Sequence, residues 1–338
     1  MLLIRPAKLD DLDALMSLAG MAGYGLTTLP RDAEVLRSRI TDSLYSFERA
    51  SERPRGESYL FVLQDCDRGQ VVGTSGIVSK VGGFEPFYAY KVETSIIHSD
   101  VLNVRKEIRF LKLVAEHNGP SEITGLFLHP HFRKEGNGRL LSLARFLFMA
   151  EHPRRFDQAV IAELRGVADE RGSSPFWDAA GHHFFDVDFP TADYMSMVNK
   201  KFIADLMPTH PIYIPLLPRP AQEVIGRVHP QSAPAMRILE QEGFAFCDMV
   251  DIFDAGPIVR CQREQIRAVR ESKAAVVKEI GEVAAFEAQI IARTGRDFRA
   301  CRGPVETTGE GIRISVACAD ALEVKAGQIV RHVPMRGA

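Results

Sequence analysis

The residues most suited to bind a ligand lie in one stretch, HPHFRKEGNGRLL, at positions 129–141. It combines basic residues with two glycines and the asparagine between them: Arg133, Lys134, Gly136, Asn137, Gly138 and Arg139. If the following apolar run is a helix, its first amides lack intrahelical partners and its dipole favours an anion there. The two glycines can adopt positive φ and turn backbone N–H groups inward. The stretch therefore predicts a diphosphate site; a solvated glycine turn is the alternative.

The loop matches neither common nucleotide motif. A Walker loop carries a Lys-Ser/Thr pair at the helix start, and a dinucleotide fingerprint has a third glycine and a downstream acid. Both features are missing here. What remains is an R-x-x-G-x-G spacing formed by Arg133, Gly136 and Gly138, whose meaning depends on the elements around it.

Those elements predict a βαβ unit. EITGLFL before the loop is typical of a strand, RLLSLARFLFMAEH has apolar residues at helical spacing, and FDQAVIAEL indicates the next strand. Such a unit favours a sheet with parallel character at its centre. Upstream, the pattern predicts strand, helix, helix, strand, strand, and then two long strands in FYAYKVETSIIH and EIRFLKLVAEHN.

The remainder is less regular. Residues 167–226 predict a helical insertion in which Pro190 separates two helices, followed by a helix in SAPAMRILEQEG and a strand in FAFCDMVDIF. From residue 256 onward, β-like runs alternate with Gly, Arg and Thr. We predict an α/β domain at 1–255 and a small β-rich domain at 256–338.

Composition excludes several classes of protein. The net charge of -2, with 25% charged residues of both signs, gives no overall field for nucleic acid or an anionic membrane. No apolar run approaches the ~18 residues of a membrane span. The five cysteines form no CxxC pair, which argues against a disulfide framework. We expect a soluble cytoplasmic protein.

The order of these features resembles the Gcn5-related N-acetyltransferase superfamily. After the R-x-x-G-x-G loop, a late helix ends in ILEQEGF at 238–244, close to the LYEKxGF pattern of that superfamily. The resemblance implies a mixed sheet flanked by helices and a loop whose amides hold the pyrophosphate of coenzyme A. It also implies that Leu126, Phe127 and Leu128 offer backbone groups to the pantetheine arm. Our candidate for the oxyanion donor is a backbone N–H in the splayed part of this strand. Leu239 stands where many members have a proton-donating Tyr.

Longer stretches resemble the arginine N-succinyltransferases over essentially the whole chain: ESYLFVLQD, EPFYAYKVET, SPFWDAAGHHFFDVDFPTADYMS, FIADLMPTHPIYIPLLP and GRVHPQSAPAMRILEQEGF. That family moves a succinyl group from succinyl-CoA to the α-amino group of L-arginine, the first step of the arginine succinyltransferase catabolic pathway, and some members accept ornithine. The resemblance implies succinyl-CoA as co-substrate, no metal, and a homo-oligomer or a heteromer with a paralogous subunit. It points to Leu126 as an acyl-CoA contact and to His229 as proton donor.

His229 also has a purely structural interpretation. It precedes Pro230, and three further His-Pro pairs begin at 129, 152 and 210, so a turn is the competing role. Imidazole titrates near working pH and can give a proton to the departing thiolate. None of the five cysteines has a paired His nearby in sequence, so we expect direct attack by the amine rather than a covalent enzyme intermediate.

Arginine as acceptor requires acidic partners for its guanidinium, and the free succinyl carboxylate requires a cation. The candidate substrate contacts are Glu163, Arg165, Asp186 and Asp193, with Asp188 as a further acid. Solvated charges and helix caps are the alternative. The neighbouring His182 and His183 lack the i, i+4 spacing of helical metal ligands, so packing is preferred.

Two other functions stay open. The chain could be a non-catalytic paralogous subunit that supports an active sister, which the missing Tyr favours. It could also be an N-acyltransferase for another acyl-CoA and amine. The loop and His229 favour an active succinyltransferase.

Overall fold

The computed structural model describes residues 1–22, 26–50, 53–83, 85–284, 287–295 and 297–337. The strands are β1 (Leu2–Pro6), β2 (Ser58–Asp65), β3 (Gln70–Val78), β4 (Phe87–Ser99), β5 (Val104–Glu116), β6 (Ser121–Leu128), β7 (Ala159–Glu163), β8 (Ile212–Tyr213), β9 (Ala245–Val250), β10 (Pro257–Gln262), β11 (Lys273–Ile280), β12 (Ala288–Arg293), β13 (Arg299–Thr308), β14 (Gly311–Ile314) and β15 (Ile329–Pro334). The helices are α1 (Leu12–Met21), α2 (Ala33–Glu48), α3 (Asn137–Glu151), α4 (Pro175–Ala179), α5 (His182–Phe185), α6 (Phe189–Val198), α7 (Lys201–Leu206), α8 (Arg219–Val224), α9 (Ala233–Gln241), α10 (Arg267–Glu271) and α11 (Val316–Leu322).

The strands join in the order β12-β15-β11-β14-β13-β1-β2-β3-β6-β7-β10-β9-β4-β5-β8, and β12 also pairs with β13. Most neighbours are antiparallel, whereas β6–β7 and β11–β14 are parallel pairs. The strands β6 and β7 are connected through α3. The expected mixed α/β architecture and its βαβ unit are confirmed. Among the described residues, no helix is both long and apolar enough to span a bilayer.

Helices cover both faces of the sheet. Along β2, Phe61 and Leu63 pack in the core that contains α3, while Leu60 and Val62 pack in the core that contains α1 and α2. Because successive strand residues point to opposite faces, α3 lies on one side of the sheet and α1 and α2 on the other. Side chains from helices on both faces can therefore reach a gap between two strands of this sheet.

The middle of the chain differs from expectation. Four short helices, α4 to α7, stand where we predicted two helices separated at Pro190. Pro190 instead lies in the first turn of α6, behind the capping residue Asp188. The predicted division between helices exists just before it, between α5 and α6. Pro190 follows that division because the first helical turn tolerates proline, whose missing N–H would have no helical partner there.

This helical region is held by an aromatic core. Trp177 is 1% exposed and stacks on Phe185 with ring centroids 5.4 Å apart. The same core includes residues of β4, β5 and β9, so the helices pack on that wing of the sheet. In this position, α6 and α7 contribute residues to the wall of the cavity between β6 and β7.

The C-terminal strands are continuous with the rest of the sheet. β10 pairs with both β7 and β9, and β13 pairs with β1. The pairings among β11 to β15 close these strands on themselves. The division between 1–255 and 256–338 stays a prediction.

The EGF segment after α9 has a structural role. Glu242 is fully buried and accepts hydrogen bonds from Arg267 Nε at 3.0 Å, Arg267 Nη2 at 2.7 Å and the Ala268 amide at 2.8 Å. Gly243 then adopts φ 98°, and Phe244 enters the core that contains α3. The segment ties α9 to α10.

Glu242→Ala should lower the free energy of unfolding by about 3 kcal/mol, because it leaves the buried Arg267 guanidinium without its closest carboxylate. Urea denaturation followed by circular dichroism measures the change. The exposed Glu240 lies in α9, two residues earlier, and Glu240→Ala should shift stability by less than ~0.5 kcal/mol. Equal effects of the two substitutions would contradict this role for Glu242.

Candidate active site

The site forms where β6 and β7 separate. Their parallel pairing comprises Ser121 with Val160 and Glu122 with Ile161. Farther along, β6 stays hydrogen-bonded to β3 and β7 stays hydrogen-bonded to β10. A cavity of about 1010 Å³ opens between the diverging strands, and Leu126, Phe127 and Leu128 line it.

A bulge interrupts β6 inside this cavity. Gly76 pairs with Thr124 and Thr74 with Phe127, so Gly125 and Leu126 together oppose one residue of β3. Gly125 has φ +63°, in the left-handed region that favours glycine. A bulge redirects the backbone and interrupts the hydrogen-bond ladder. It therefore supplies polar backbone at the strand position where we expected an oxyanion donor.

The basic glycine loop forms one end of the cavity, and all six of its predicted contacts lie in the wall: Arg133, Lys134, Gly136, Asn137, Gly138 and Arg139. Glu135 and Gly136 have φ of 54° and 76°. Gly138 lies within α3, and a Cβ there would meet nothing within 4 Å. The expectation that both glycines supply positive φ is thus wrong; Glu135 takes the second left-handed position, with its carbonyl bonded by Arg302.

Two of the loop cations have partners within the protein. Arg133 Nε donates to the Leu128 carbonyl at 2.9 Å, and its guanidinium lies 5.5 Å from the Phe127 ring centroid. Arg139 donates to Gln241 and lies 3.9 Å from Glu242. Lys134 is exposed and has no ion pair within the described ranges. The loop end of the cavity is therefore positively charged, and hydrogen bonds within the protein fix the positions of two of its three cations.

Four carboxyl groups gather in another part of the cavity wall, and we call Glu122, Glu163, Asp251 and Asp254 the acidic cluster. They come from β6, from β7 and from the turn between β9 and β10. Asp254 accepts the amides of Gly166 at 2.7 Å and Gly256 at 2.8 Å. A Cβ on Gly256 would lie 2.1 Å from the Leu164 carbonyl oxygen, so glycine is required for this close approach.

The surroundings disfavour charge on the acidic cluster. Desolvation raises the pKa of Glu122 to about 7, and Lys200 opposes this shift. Glu163 is exposed to the cavity, yet enough protein surrounds it that desolvation, with repulsion from Glu122 and Asp251, raises its pKa well above the usual value. Desolvation also raises the pKa of Asp251 and Asp254. A cation entering this region would be strongly attracted.

Arg165 connects the acidic cluster to His229. Burial lowers the pKa of Arg165, and the charges of Asp254 and Asp193 oppose that shift. Its Nε is buried and has no hydrogen-bond partner among the described residues. Its carbonyl accepts the His229 amide at 2.8 Å. The predicted contacts Glu163, Arg165 and Asp193 thus lie in one cavity wall.

His229 occupies a turn beside the cavity. Its Nδ1 accepts the Gln231 amide at 3.1 Å, and Gln231 and Ser232 line the cavity. His129 makes the same local bond to the His131 amide at 3.2 Å, so the His-Pro turn exists at both positions. Desolvation and the nearby Arg165 charge lower the pKa of His229. The Nδ1 atom is engaged by the Gln231 amide, and a hydrogen bond between the imidazole and the Ala168 backbone opposes part of the fall in pKa.

The remaining candidates lie elsewhere. Asp186 is exposed at the end of α5, outside the cavity wall, and Asp188 caps α6 by accepting the Thr191 amide at 2.9 Å. His182 and His183 are exposed in α5. Within the described ranges, no group of three or more His, Cys, Asp or Glu residues is arranged to hold a metal ion.

Sequence reasoning missed several cavity residues: Arg39, Glu122, Arg145, Lys200, Asp251 and Asp254. A signal existed for two of them. Glu122 is the lone charge in EITGLFL, and Arg145 interrupts the apolar run of RLLSLARFLFM. A charge inside a buried apolar run is unusual enough to mark a functional candidate.

Comparison with known proteins decides the family. A sequence model described as arginine N-succinyltransferase beta subunit matches residues 2–268, and a model of that subunit's C-terminal domain matches residues 272–334. The chain belongs to the arginine N-succinyltransferase family. The resemblance noted from the sequence is thereby confirmed.

Relatives in the arginine N-succinyltransferase family match over nearly their whole length. Arginine N-succinyltransferase of Enterobacter sp. (strain 638) is 46% identical and that of Citrobacter koseri 44%, each over 98% of this chain and 97% of the relative. The solved arginine/ornithine succinyltransferase subunit AI from Pseudomonas aeruginosa is 37% identical, with a TM-score of 0.92 over 100% of this chain and 99% of that one.

The raised pKa of Glu122 predicts how stability depends on pH. Unfolded, a Glu ionises near pH ~4.3, whereas folded Glu122 keeps its proton to about pH 7. The folded state binds more protons in between, so stability should fall as pH rises from about 5 to about 7. Glu122→Gln should make this fall shallower, measured by urea denaturation at several pH values.

The exposed Glu240→Gln variant is the matched control and should keep the wild-type slope. An unchanged slope in Glu122→Gln would show that burial does not perturb this carboxyl.

Proposed function

We propose that the chain transfers the succinyl group of succinyl-CoA to the α-amino group of L-arginine. The new bond joins the amine nitrogen to the thioester carbonyl carbon, the carbon–sulfur bond breaks, and a proton passes from the amine to the thiolate. The observation that carries the proposal is one cavity with a basic glycine loop and a separate acidic cluster, in a family member matched along its full length. The two charged regions suit an anionic donor and a cationic acceptor.

The donor would bind from the loop end. The amides at the start of α3 and the left-handed Glu135 and Gly136 can hold the pyrophosphate, and Lys134 adds charge. The pantetheine amides can bond the free edge of β6 as a strand would. This directs the thioester toward Gly125 and Leu126, where a backbone N–H would stabilise the oxyanion.

The acceptor would place its guanidinium near Glu163 in the acidic cluster. The raised pKa values mark carboxyls that gain from a nearby cation, since each becomes easier to ionise when the guanidinium arrives. Asp193 and Arg165 lie in the same wall and offer further polar contacts. The ammonium of ornithine suits the same cluster, so it is included as a second acceptor.

His229 would manage the proton. Its lowered pKa leaves the imidazole neutral at working pH, so it can accept the amine proton and then protonate the departing thiolate. Leu239 lines the cavity where many proteins of the wider acetyltransferase superfamily have a Tyr, and its side chain has no proton to give. The imidazole supplies that function instead.

The proposal also covers the fold type, the assembly and the cellular location of the protein. The fold is of the Gcn5-related N-acetyltransferase type, with a helical insertion at 167–226 and a small β-rich domain at 256–338. The protein assembles as a homo-oligomer or with a paralogous subunit. Its place is the cytoplasm, where succinyl-CoA is available.

An acyl-CoA by amino-acid matrix tests the function. The purified chain should release thiol fastest with succinyl-CoA and arginine, and mass spectrometry with NMR should locate the succinyl group on the α-nitrogen. Turnover only after a paralogous subunit is added would support the non-catalytic alternative. A higher rate with another acyl-CoA and another amine would show that the proposed donor and acceptor are wrong.

His229→Ala should reduce kcat by roughly 10²-fold or more with folding preserved, because proton transfer is lost. His129→Ala is the matched control, since it removes the same bond to a turn amide. Steady-state kinetics and thermal unfolding of both variants separate chemistry from turn stability. Equal rate losses in the two variants would assign His229 to the turn alone.

A further inference from the structure

Arg145 is a buried cation in the cavity wall that the proposed chemistry does not yet use. It lies on α3, is 2% exposed, and lines the cavity. Its Nη1 donates to the Thr124 carbonyl at 3.2 Å and to the Gly76 carbonyl at 3.5 Å. These two residues face each other across β3 and β6, next to the bulge. Arg145 therefore sits beside the bulge, where the thioester is directed.

The charge of Arg145 is not neutralised by the protein. Its other bonds go to the Ser142 carbonyl at 3.0 Å and the Ser142 hydroxyl at 2.9 Å, so all its partners are neutral oxygens. No carboxylate of the described residues forms an ion pair with it. Desolvation alone lowers its pKa to about 9. Burying a guanidinium without an anionic partner costs free energy. Binding of a carboxylate beside it is therefore favourable.

One donor of this guanidinium also remains available. Arginine has five N–H groups, and the bonds to Thr124, Gly76 and Ser142 engage four of them. Within the described part of the chain, one N–H on Nη2 has no partner. A carboxylate arriving from the cavity would meet both a free donor and an uncompensated charge.

The spacing fits a succinyl chain. Thr124 and Leu126 are two residues apart on β6, at most about 7 Å in fully extended backbone, and the bulge at Gly125 brings them closer. In succinate, the thioester carbon and the carboxylate carbon are ~4 Å apart across three C–C bonds, and a charged hydrogen bond adds ~3 Å. A donor that enters from the loop end and places its thioester at Leu126 thus carries its carboxylate to the level of Arg145.

We propose that Arg145 binds the free carboxylate of the donor's acyl group and makes the enzyme selective for dicarboxylic monoacyl-CoA thioesters. This inference rests on the proposed function. Arg39 is another cavity arginine that forms no ion pair with the described residues, and its Nη1 donates to the Thr27 carbonyl at 2.6 Å. It reaches the cavity from α2, on the opposite face of the sheet from α3, and serves as the comparison.

Succinyl-CoA and butyryl-CoA form the matched pair for the test, because they differ only in carboxylate against methyl. Arg145→Met should lower the ratio of their kcat/KM values by roughly 10²-fold, since the carboxylate loses its charged partner. Arg145→Lys, which keeps the charge, should retain an intermediate ratio. Arg39→Met and Arg155→Met should leave the ratio at the wild-type value; Arg155 is equally a buried arginine, 7% exposed, but lies outside the cavity wall.

Each result decides between the two claims. If wild-type enzyme forms no succinylarginine, the proposed function fails. If it does, but Arg145→Met lowers kcat/KM equally for both thioesters, Arg145 only supports the bulge and the inference is overturned. The inference is also overturned if Arg39→Met, and not Arg145→Met, lowers the ratio of kcat/KM for succinyl-CoA to that for butyryl-CoA. Thermal unfolding shows whether each variant is folded, and Arg145→Lys carries the test if Arg145→Met is not.

Discussion

The site depends on the early end of hydrogen bonding between β6 and β7. After Glu122 and Ile161, neither strand bonds the other, yet each stays fixed by its outer neighbour, β3 or β10. The gap is therefore built into the strand pairing of the sheet. Backbone groups on its inner edges require hydrogen-bond partners, and a substrate rich in amides can supply them.

Charge is distributed locally in a chain that is nearly neutral overall. The net charge of -2 hides a basic loop, an acidic cluster and a buried arginine that share one cavity. Glu122 and Arg145 are desolvated, so their interactions are stronger than they would be on the surface. The raised pKa of Glu122 and the lowered pKa of Arg145 have the same origin, namely burial without an adequate counter-charge. Substrates with several charges can then be oriented as well as bound.

Local features were predictable from the sequence, and assembled features were not. The βαβ unit and the loop each occupy one continuous stretch whose periodicity and glycines are visible. The acidic cluster joins residues 122, 163, 251 and 254, and no local pattern connects them. The left-handed Glu135 escaped prediction because glycine is the usual residue at positive φ.

The loop also depends on the far end of the chain. Arg302 in β13 bonds the Glu135 carbonyl, and Arg139 donates to the Met335 carbonyl at 3.5 Å. These contacts join residues separated by 167 and 196 positions. During synthesis, the βαβ unit leaves the ribosome long before either partner exists. These two bonds to the loop can therefore form only after β13 and the residues that follow β15 have been synthesised.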